Sequence, residues 1–151
     1  MEAKLKFNKE GYITEIPVNC IINKARPNCG ATTCEINSPR NSIIIEPNLP
    51  VIEGKEISMK GKFFPVKNGV KVKEIEDYLK STSGYKKLMT TPESFHKIKE
   101  TFEQVGENIY NYFMLFDECH KIINDARFRT SITGILEDFF KCKERSLISA
   151  S

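Results

Sequence analysis

Two carboxylates follow the longest apolar run of the chain. Residues 112–116 are all apolar or aromatic, and Asp117 and Glu118 come directly after them. An unbroken apolar run of this length is typical of a strand buried on both faces, as in a parallel sheet. Because ligands of open α/β sheets bind at the carboxyl ends of the strands, we expect both acids at the floor of a ligand crevice. A Mg²⁺ ion that carries nucleotide phosphates would offset the cost of removing two carboxylates from water.

A polar turn after the first apolar segment is the second candidate for chemistry. It contains Gly30-Ala31-Thr32-Thr33. In a phosphate-binding loop at this place, a glycine exposes backbone N–H groups, a lysine reaches the outer phosphates, and a serine or threonine binds Mg²⁺. Here Ala31 stands where the lysine is expected, and Ala25 stands where the opening glycine is expected. A turn that only enters a helix has similar residues, and an acid pair can also begin a solvated loop or cap the next helix. Neither feature is decisive alone.

Alternating strand and helix patterns would bring these two features to the same edge of a sheet. The sequence predicts strands at residues 16–22, 42–46, 63–66, 85–89, 112–116 and 145–151, and helices before residue 36, at 71–80, at 92–105 and at about 127–141. This alternation predicts an α/β fold with a parallel, wound sheet over residues 16–151, preceded by an irregular or edge segment at 1–15.

Three of the weaker patterns lead to more specific predictions. Lysines at 86 and 87 interrupt the fourth strand pattern, which indicates a strand near the sheet edge or partly exposed. Asn68-Gly69 is a turn dipeptide, so a small hairpin is expected there. Residues 53–62 are rich in charge and indicate a surface stretch.

Composition limits the class of protein. The 151 residues suit one domain, and 23 basic against 20 acidic side chains give a net charge of only +3, which does not by itself indicate a nucleic-acid binder. No apolar run is long enough to span a bilayer, so no membrane partner is expected. Five cysteines without a framework spacing favour reduced thiols and a cytoplasmic location.

Taken together, the motifs resemble the first RecA-like lobe of superfamily-two helicases of the DEAD/DEAH-box type. Asp117-Glu118-Cys119-His120 is similar to that family's D-E-x-H box, and Ser149-Ala150-Ser151 is similar to its Ser-Ala-Thr motif. Residues 43–48 resemble the strand-plus-proline motif, and residues 90–94 resemble the threonine-proline motif. With the degenerate glycine turn (the family's Walker A motif), five motifs stand in the expected order.

The resemblance implies a P-loop NTPase lobe that binds ATP and Mg²⁺. Backbone groups of the turn would cradle phosphate, at Asn28, Cys29, Gly30, Ala31, Thr32 and Thr33. Thr32 and Asp117 would hold Mg²⁺, and Glu118 would polarise the attacking water. His120 would link this site to the coupling motif at Ser149, Ala150 and Ser151. The resemblance also implies that the strand at 145–150 lies between the strand before the glycine turn and the acid-tipped strand.

The same resemblance implies a nucleic-acid partner, DNA or RNA. Its backbone would be contacted near two strand ends, at Pro47, Asn48, Thr90 and Thr91. Such contacts position a strand and do not recognise sequence.

The departures from the family pattern bear on hydrolysis. Loss of an electrostatic group such as the missing lysine typically costs ~10²–10³ in rate, although Lys24 or Arg26 is near enough in sequence to substitute. The arginines of a second RecA-like lobe, worth ~10³–10⁵ in related systems, would have to come in cis or in trans. We therefore expect an excised or truncated part of a longer helicase-type ATPase, with weak or no hydrolysis alone.

Two other functions stay open. One is a catalytically inactive RecA-like module that acts as a DNA- or protein-interaction or regulatory domain, which the alanine at 31 favours. The other is a phosphate-binding α/β enzyme outside the helicases.

Overall fold

The computed structural model describes residues 6–24, 30–124 and 129–150. The strands in this part of the chain are β1 (Cys20–Lys24), β2 (Ser42–Ile45), β3 (Phe64–Val66), β4 (Lys87–Thr90), β5 (Phe113–Phe116) and β6 (Arg145–Ala150). The α-helices are α1 (Ala31–Ile36), α2 (Leu49–Ser58), α3 (Val72–Ser81), α4 (Phe95–Val105), α5 (Cys119–Asn124) and α6 (Arg129–Lys141). Short 3₁₀ turns occupy Pro92–Ser94 and Ile109–Asn111.

The six strands form one parallel sheet in the order β1-β6-β5-β2-β4-β3. This confirms the α/β fold with a parallel, wound sheet. It also confirms the expected place of β6, which pairs with β1 on one side and with β5 on the other. Because every strand runs in the same direction, all six carboxyl ends lie along one edge of the sheet.

The inner strands β2, β4 and β5 bury both of their faces, because helices cover the sheet on both sides, whereas Ile21 of the edge strand β1 is exposed. Every residue of β2, β4 and β5 is buried. Successive side chains of a strand point to opposite faces. Ile43 and Ile45 accordingly pack in the apolar cluster that includes residues of α3, α4 and α6. Ile44 packs in the second cluster, with residues of α1 and α2.

The hairpin prediction at Asn68-Gly69 is wrong. β3 pairs only with β4, in parallel, at the edge of the sheet. Gly69 has a φ of 94°, and the chain then enters α3 instead of returning as an antiparallel strand. A turn dipeptide determines only a local change of chain direction. The strand that pairs with β3 is β4, which begins 21 residues after the end of β3, so the dipeptide could not indicate this pairing.

Of the two alternatives for the fourth strand, the position near the sheet edge is confirmed, because β4 lies next to the edge strand β3, and the partial exposure is wrong. β4 lies between β2 and β3, and its first residue, Lys87, has only 2% of its surface exposed. The Lys87 ammonium group donates hydrogen bonds to Ser38 Oγ at 2.8 Å and to Ser42 Oγ at 2.9 Å. These partners allow a lysine to lie in the interior.

α2 is a helix where the sequence indicated a charged surface stretch. Ile52 is the only fully buried residue of this helix, and Ile57 is exposed. The three-four apolar spacing that identifies most amphipathic helices is therefore missing. The start signal was present, since Asn48 occupies the N-cap position and Pro50 lies in the first turn.

Candidate functional site

A groove of about 1310 Å³ is lined by residues of both candidate features, the glycine turn and the acid pair. Its lining residues at the carboxyl edge of the sheet are Gly30, Ala31, Thr32, Thr33, Glu46, Asn48, Asp117 and Glu118. Lys55 of α2 and Tyr12 of the N-terminal segment also line it, and it extends along α1 as far as Arg40. The glycine turn and the acid pair, 87 residues apart from Gly30 to Asp117, therefore share one cavity.

The acid pair is withdrawn from water, with 3% of Asp117 and 9% of Glu118 exposed. The Asp117 N–H donates to the carbonyl of Ile45 at 3.0 Å, which continues the β5–β2 hydrogen bonds by one residue. The Asp117 carboxylate accepts a hydrogen bond from the Glu118 N–H at 3.0 Å. The two acids thus belong to the buried end of the sheet and do not begin a solvated loop.

Glu118 has a left-handed backbone conformation, with φ of 54°. For a residue with a side chain this conformation costs about 1–2 kcal/mol. It turns the chain sharply from β5 into α5, and the Glu118 carbonyl then accepts from the Lys121 N–H at 2.9 Å. Backbone strain of this kind occurs preferentially at functional sites.

His120 connects the acid motif to β6. Its Nε2 lies 3.3 Å from Oε2 of Glu118, and its Nδ1 lies 3.2 Å from Oγ of Ser149. With a neutral ring, Nε2–H donates to the carboxylate and Nδ1 accepts from the serine hydroxyl. The structure therefore brings together the two motifs that the resemblance links through this histidine.

Cys119, next to His120, offers no activated thiol. Burial raises the pKa of this half-buried cysteine, and the neighbouring Asp117 carboxylate adds to the rise, against an opposing hydrogen bond from Ser149. A thiol with a raised pKa stays protonated near neutral pH and is a poor nucleophile.

The glycine turn begins α1. Gly30 has φ of 81°, and its carbonyl accepts the first helical hydrogen bond from the Cys34 N–H at 2.8 Å. A Cβ atom on Gly30 would lie 3.1 Å from Cδ1 of Tyr12, so the close approach of this ring also favours glycine. Thr32 is buried. The predicted phosphate-binding residues Asn28 and Cys29 lie outside the described residues, as does Ser151 of the coupling motif.

Lys55 and Glu46 line the groove at the carboxyl edge of the sheet and were not predicted as site residues. Lys55 is half-buried, and its Nζ donates to Oγ1 of Thr33 at 2.5 Å. Glu46 is buried at the end of β2, where its Oε2 accepts from the Asn48 N–H at 3.2 Å. The signal for Glu46 was the same as for Asp117, an acid that directly follows a buried strand. Lys55 had no comparable signal, because α2 itself was not predicted.

The predicted nucleic-acid contacts meet at two neighbouring strand ends. The Glu46 N–H donates to the Thr90 carbonyl at 2.9 Å, which ties the end of β2 to the end of β4. Thr90 and Thr91 are both buried, and the Thr90 hydroxyl donates to the Thr91 carbonyl at 2.9 Å. Pro47 and Asn48 are half-buried, and Asn48 lines the groove. Contact between these segments and a phosphate backbone stays a prediction.

No set of three or more His, Cys, Asp or Glu side chains converges to hold a metal ion within residues 6–24, 30–124 and 129–150. Mg²⁺ in nucleotide sites commonly needs no such cage. It is held by one or two protein oxygens, by phosphates and by water. The Thr32 hydroxyl and the Asp117 carboxylate line the same groove and are oxygen donors of this type.

A scan of the sequence against protein-family models finds no match, and a search of the curated proteins finds no relative. The helicase resemblance thus depends on the motifs themselves. Across the described part of the chain, no helix is long and apolar enough to cross a membrane. Cys20, Cys34, Cys119 and Cys142 are free thiols.

Proposed function

We propose that this chain is the ATP- and Mg²⁺-binding lobe of a helicase-type, nucleic-acid-dependent ATPase, with weak or no hydrolysis by itself. One observation carries the proposal. The turn that follows β1 and the acid pair that follows β5 line the same groove, on either side of β6. Carboxylates that line one groove with a glycine turn are the arrangement in which nucleotide sites hold Mg²⁺, through one or two protein oxygens together with phosphates and water.

In this proposal the predicted nucleotide, metal and coupling residues have definite roles. Backbone N–H groups from Gly30 onward bind phosphate oxygens. Thr32 and Asp117 hold Mg²⁺, and Glu118 orients the water that attacks the outer phosphate. His120 transmits the state of this site to Ser149, and so to the second RecA-like lobe, which is supplied in cis or in trans.

Two features make hydrolysis weak in the isolated chain. Ala31 supplies no charge, and its side chain packs in an apolar cluster. A second lobe would bring the arginines that neutralise the transition state in related enzymes. DNA or RNA would lie across the ends of β2 and β4, near Asn48 and Thr91, and the setting would be the reducing cytoplasm.

Calorimetric titration with ATP and ADP, in the presence of Mg²⁺ and again with EDTA, tests the proposal. We expect Mg²⁺-dependent binding by the unchanged protein and a loss of at least tenfold in affinity for Asp117→Ala. The matched control is Asp77→Ala, because Asp77 is an exposed carboxylate on α3 that pairs with Lys73. Equal binding by Asp117→Ala and the unchanged protein would overturn the assignment.

The second candidate is an inactive module that keeps this fold and acts through its surface. The apolar, buried side chain of Ala31 favours it. Ala31→Lys distinguishes the two: a latent ATPase gains phosphate release, whereas an inactive module does not. Circular dichroism and thermal unfolding of the variant establish that it is folded before its turnover is compared.

A further inference from the structure

Lys55 lines the groove, is half-buried and pairs with no carboxylate of the described residues. Among the described residues that line the groove, three are basic, namely Arg40, Lys55 and Lys121. Arg40 is paired with the carboxylate of Glu35, and Lys121 is exposed. Lys55 donates to the neutral hydroxyl of Thr33 and forms no ion pair with any described residue.

The position of Lys55 relates it directly to the glycine turn. Its partner Thr33 belongs to the first turn of α1, two residues after Ala31. An ammonium group has three N–H donors, and the bond to Thr33 uses one of them. Two donors and a full positive charge therefore remain for a ligand of the groove.

We propose that Lys55 binds the outer phosphates of the nucleotide and so replaces, from α2, the lysine that the glycine turn lacks. This inference depends on the proposed function, and it names the residue that supplies the missing charge. A lysine acts on phosphate as a point charge, so what matters is where its ammonium group lies, whichever helix carries it. The hydrogen bond to Thr33 holds that ammonium group at the turn before the ligand arrives.

The alternative sources of charge are Lys24 and Arg26, which stand beside the turn in the sequence. A direct comparison of single variants separates them from Lys55. If Lys24→Met or Arg26→Met abolishes nucleotide binding while Lys55→Met does not, the assignment of Lys55 is wrong.

The experiment compares Lys55→Met, Lys55→Arg and a matched control, Lys67→Met. Lys67 is also half-buried and bonded through Nζ, but to Glu56, and it does not line the groove. ATP with Mg²⁺ and AMP are titrated calorimetrically into each variant. We expect Lys55→Met to weaken ATP binding by about 10- to 100-fold, the range for a charged hydrogen bond, and to change AMP binding much less. Lys55→Arg should keep most of the ATP affinity, and Lys67→Met should keep all of it.

The outcomes separate this inference from the proposed function. If the unchanged protein binds ATP and Asp117→Ala does not, but Lys55→Met binds as well as the unchanged protein, the Lys55 proposal is overturned and the nucleotide site survives. If Lys55→Met weakens ATP and AMP equally, the lysine acts through the shape of the groove and the proposal is again overturned. If the unchanged protein binds no nucleotide, both proposals fall together.

Discussion

The ammonium group of Lys87 lies 3.7 Å from a carboxylate oxygen of Glu35, and both side chains are almost completely withdrawn from solvent. The same carboxylate accepts two hydrogen bonds from the Arg40 guanidinium, at 2.9 and 2.5 Å, and one from the Ser42 hydroxyl at 2.6 Å. Ser42 and Lys87 are the first residues of β2 and β4, so the network lies at the amino edge of the sheet. It fastens one end of α1 there, while the glycine turn at the other end of α1 lines the groove.

Removing the charge of Glu35 should strongly destabilise the fold. Glu35→Gln leaves the buried Lys87 and the partly buried Arg40 without their counter-charge, and loss of one partner from a buried ion pair typically costs ~3–5 kcal/mol. Urea unfolding followed by circular dichroism measures the change. Glu53→Gln on the exposed side of α2 is the control and should change the free energy of unfolding by less than ~0.5 kcal/mol. A loss below ~1 kcal/mol for Glu35→Gln would contradict this account.

Lys87 should make stability depend on pH in alkaline solution. Burial lowers its pKa from 10.5 to about 8, against the opposing attraction of Glu35. Between these two values the unfolded chain holds a proton that the folded chain has lost. The free energy of unfolding therefore rises with pH in this window, by at most about 1.4 kcal/mol per pH unit. Below pH 8 both states are protonated, and the burial of the charge destabilises the fold.

Comparison with Lys87→Met isolates this contribution. Cys142, whose pKa burial raises to about 12, acts in the opposite direction, because the folded chain keeps its proton above pH 9. That effect is shared by both proteins and cancels in their difference. From pH 8 to pH 10 the unchanged protein should gain stability relative to Lys87→Met. A constant difference across this range would show that the Lys87 pKa is not lowered in the folded protein.

Lys87 also shows where prediction from the sequence had to fail. A lysine inside a strand pattern indicates exposure unless a partner is known, and its partner Glu35 lies 52 residues earlier in the chain. The strands and helices with regular apolar spacing, such as β5 and α4, were predicted within a few residues because their local pattern carries the signal. Lys55 was not predicted because its helix was not predicted: α2 buries only Ile52 completely and has no apolar stripe. Prediction from the sequence succeeded for the acid pair, the glycine turn and the His120–Ser149 contact, because the residues of each belong to short motifs.

Gly30→Ala should weaken nucleotide binding more than its effect on stability explains. A left-handed φ costs an alanine about 1–2 kcal/mol, and the new Cβ would also press on Tyr12 at 3.1 Å. Gly61→Ala is a matched control, since Gly61 has φ of 80° and no atom within 4 Å of its Cβ position. Both variants should lose similar stability in urea. Only Gly30→Ala should lose affinity for ATP with Mg²⁺, and equal affinities would show that the turn does not touch the nucleotide.

The contact between His120 and Ser149 should appear as an energetic coupling. The 3.2 Å hydrogen bond joins α5 to β6, so a second substitution should cost less once the first has removed the bond. We expect the double variant His120→Ala/Ser149→Ala to be more stable than the sum of the single effects by ~0.5–1.5 kcal/mol, the usual net value of a hydrogen bond. The pair His96→Ala/Ser149→Ala is the control. His96 is exposed, and its Nδ1 contacts the carbonyl of Glu93, in the 3₁₀ turn before α4. If the losses in free energy of unfolding for His120→Ala and Ser149→Ala simply add, the two motifs are adjacent but not energetically coupled. In that case the coupling role proposed for His120 would be lost even if ATP still binds.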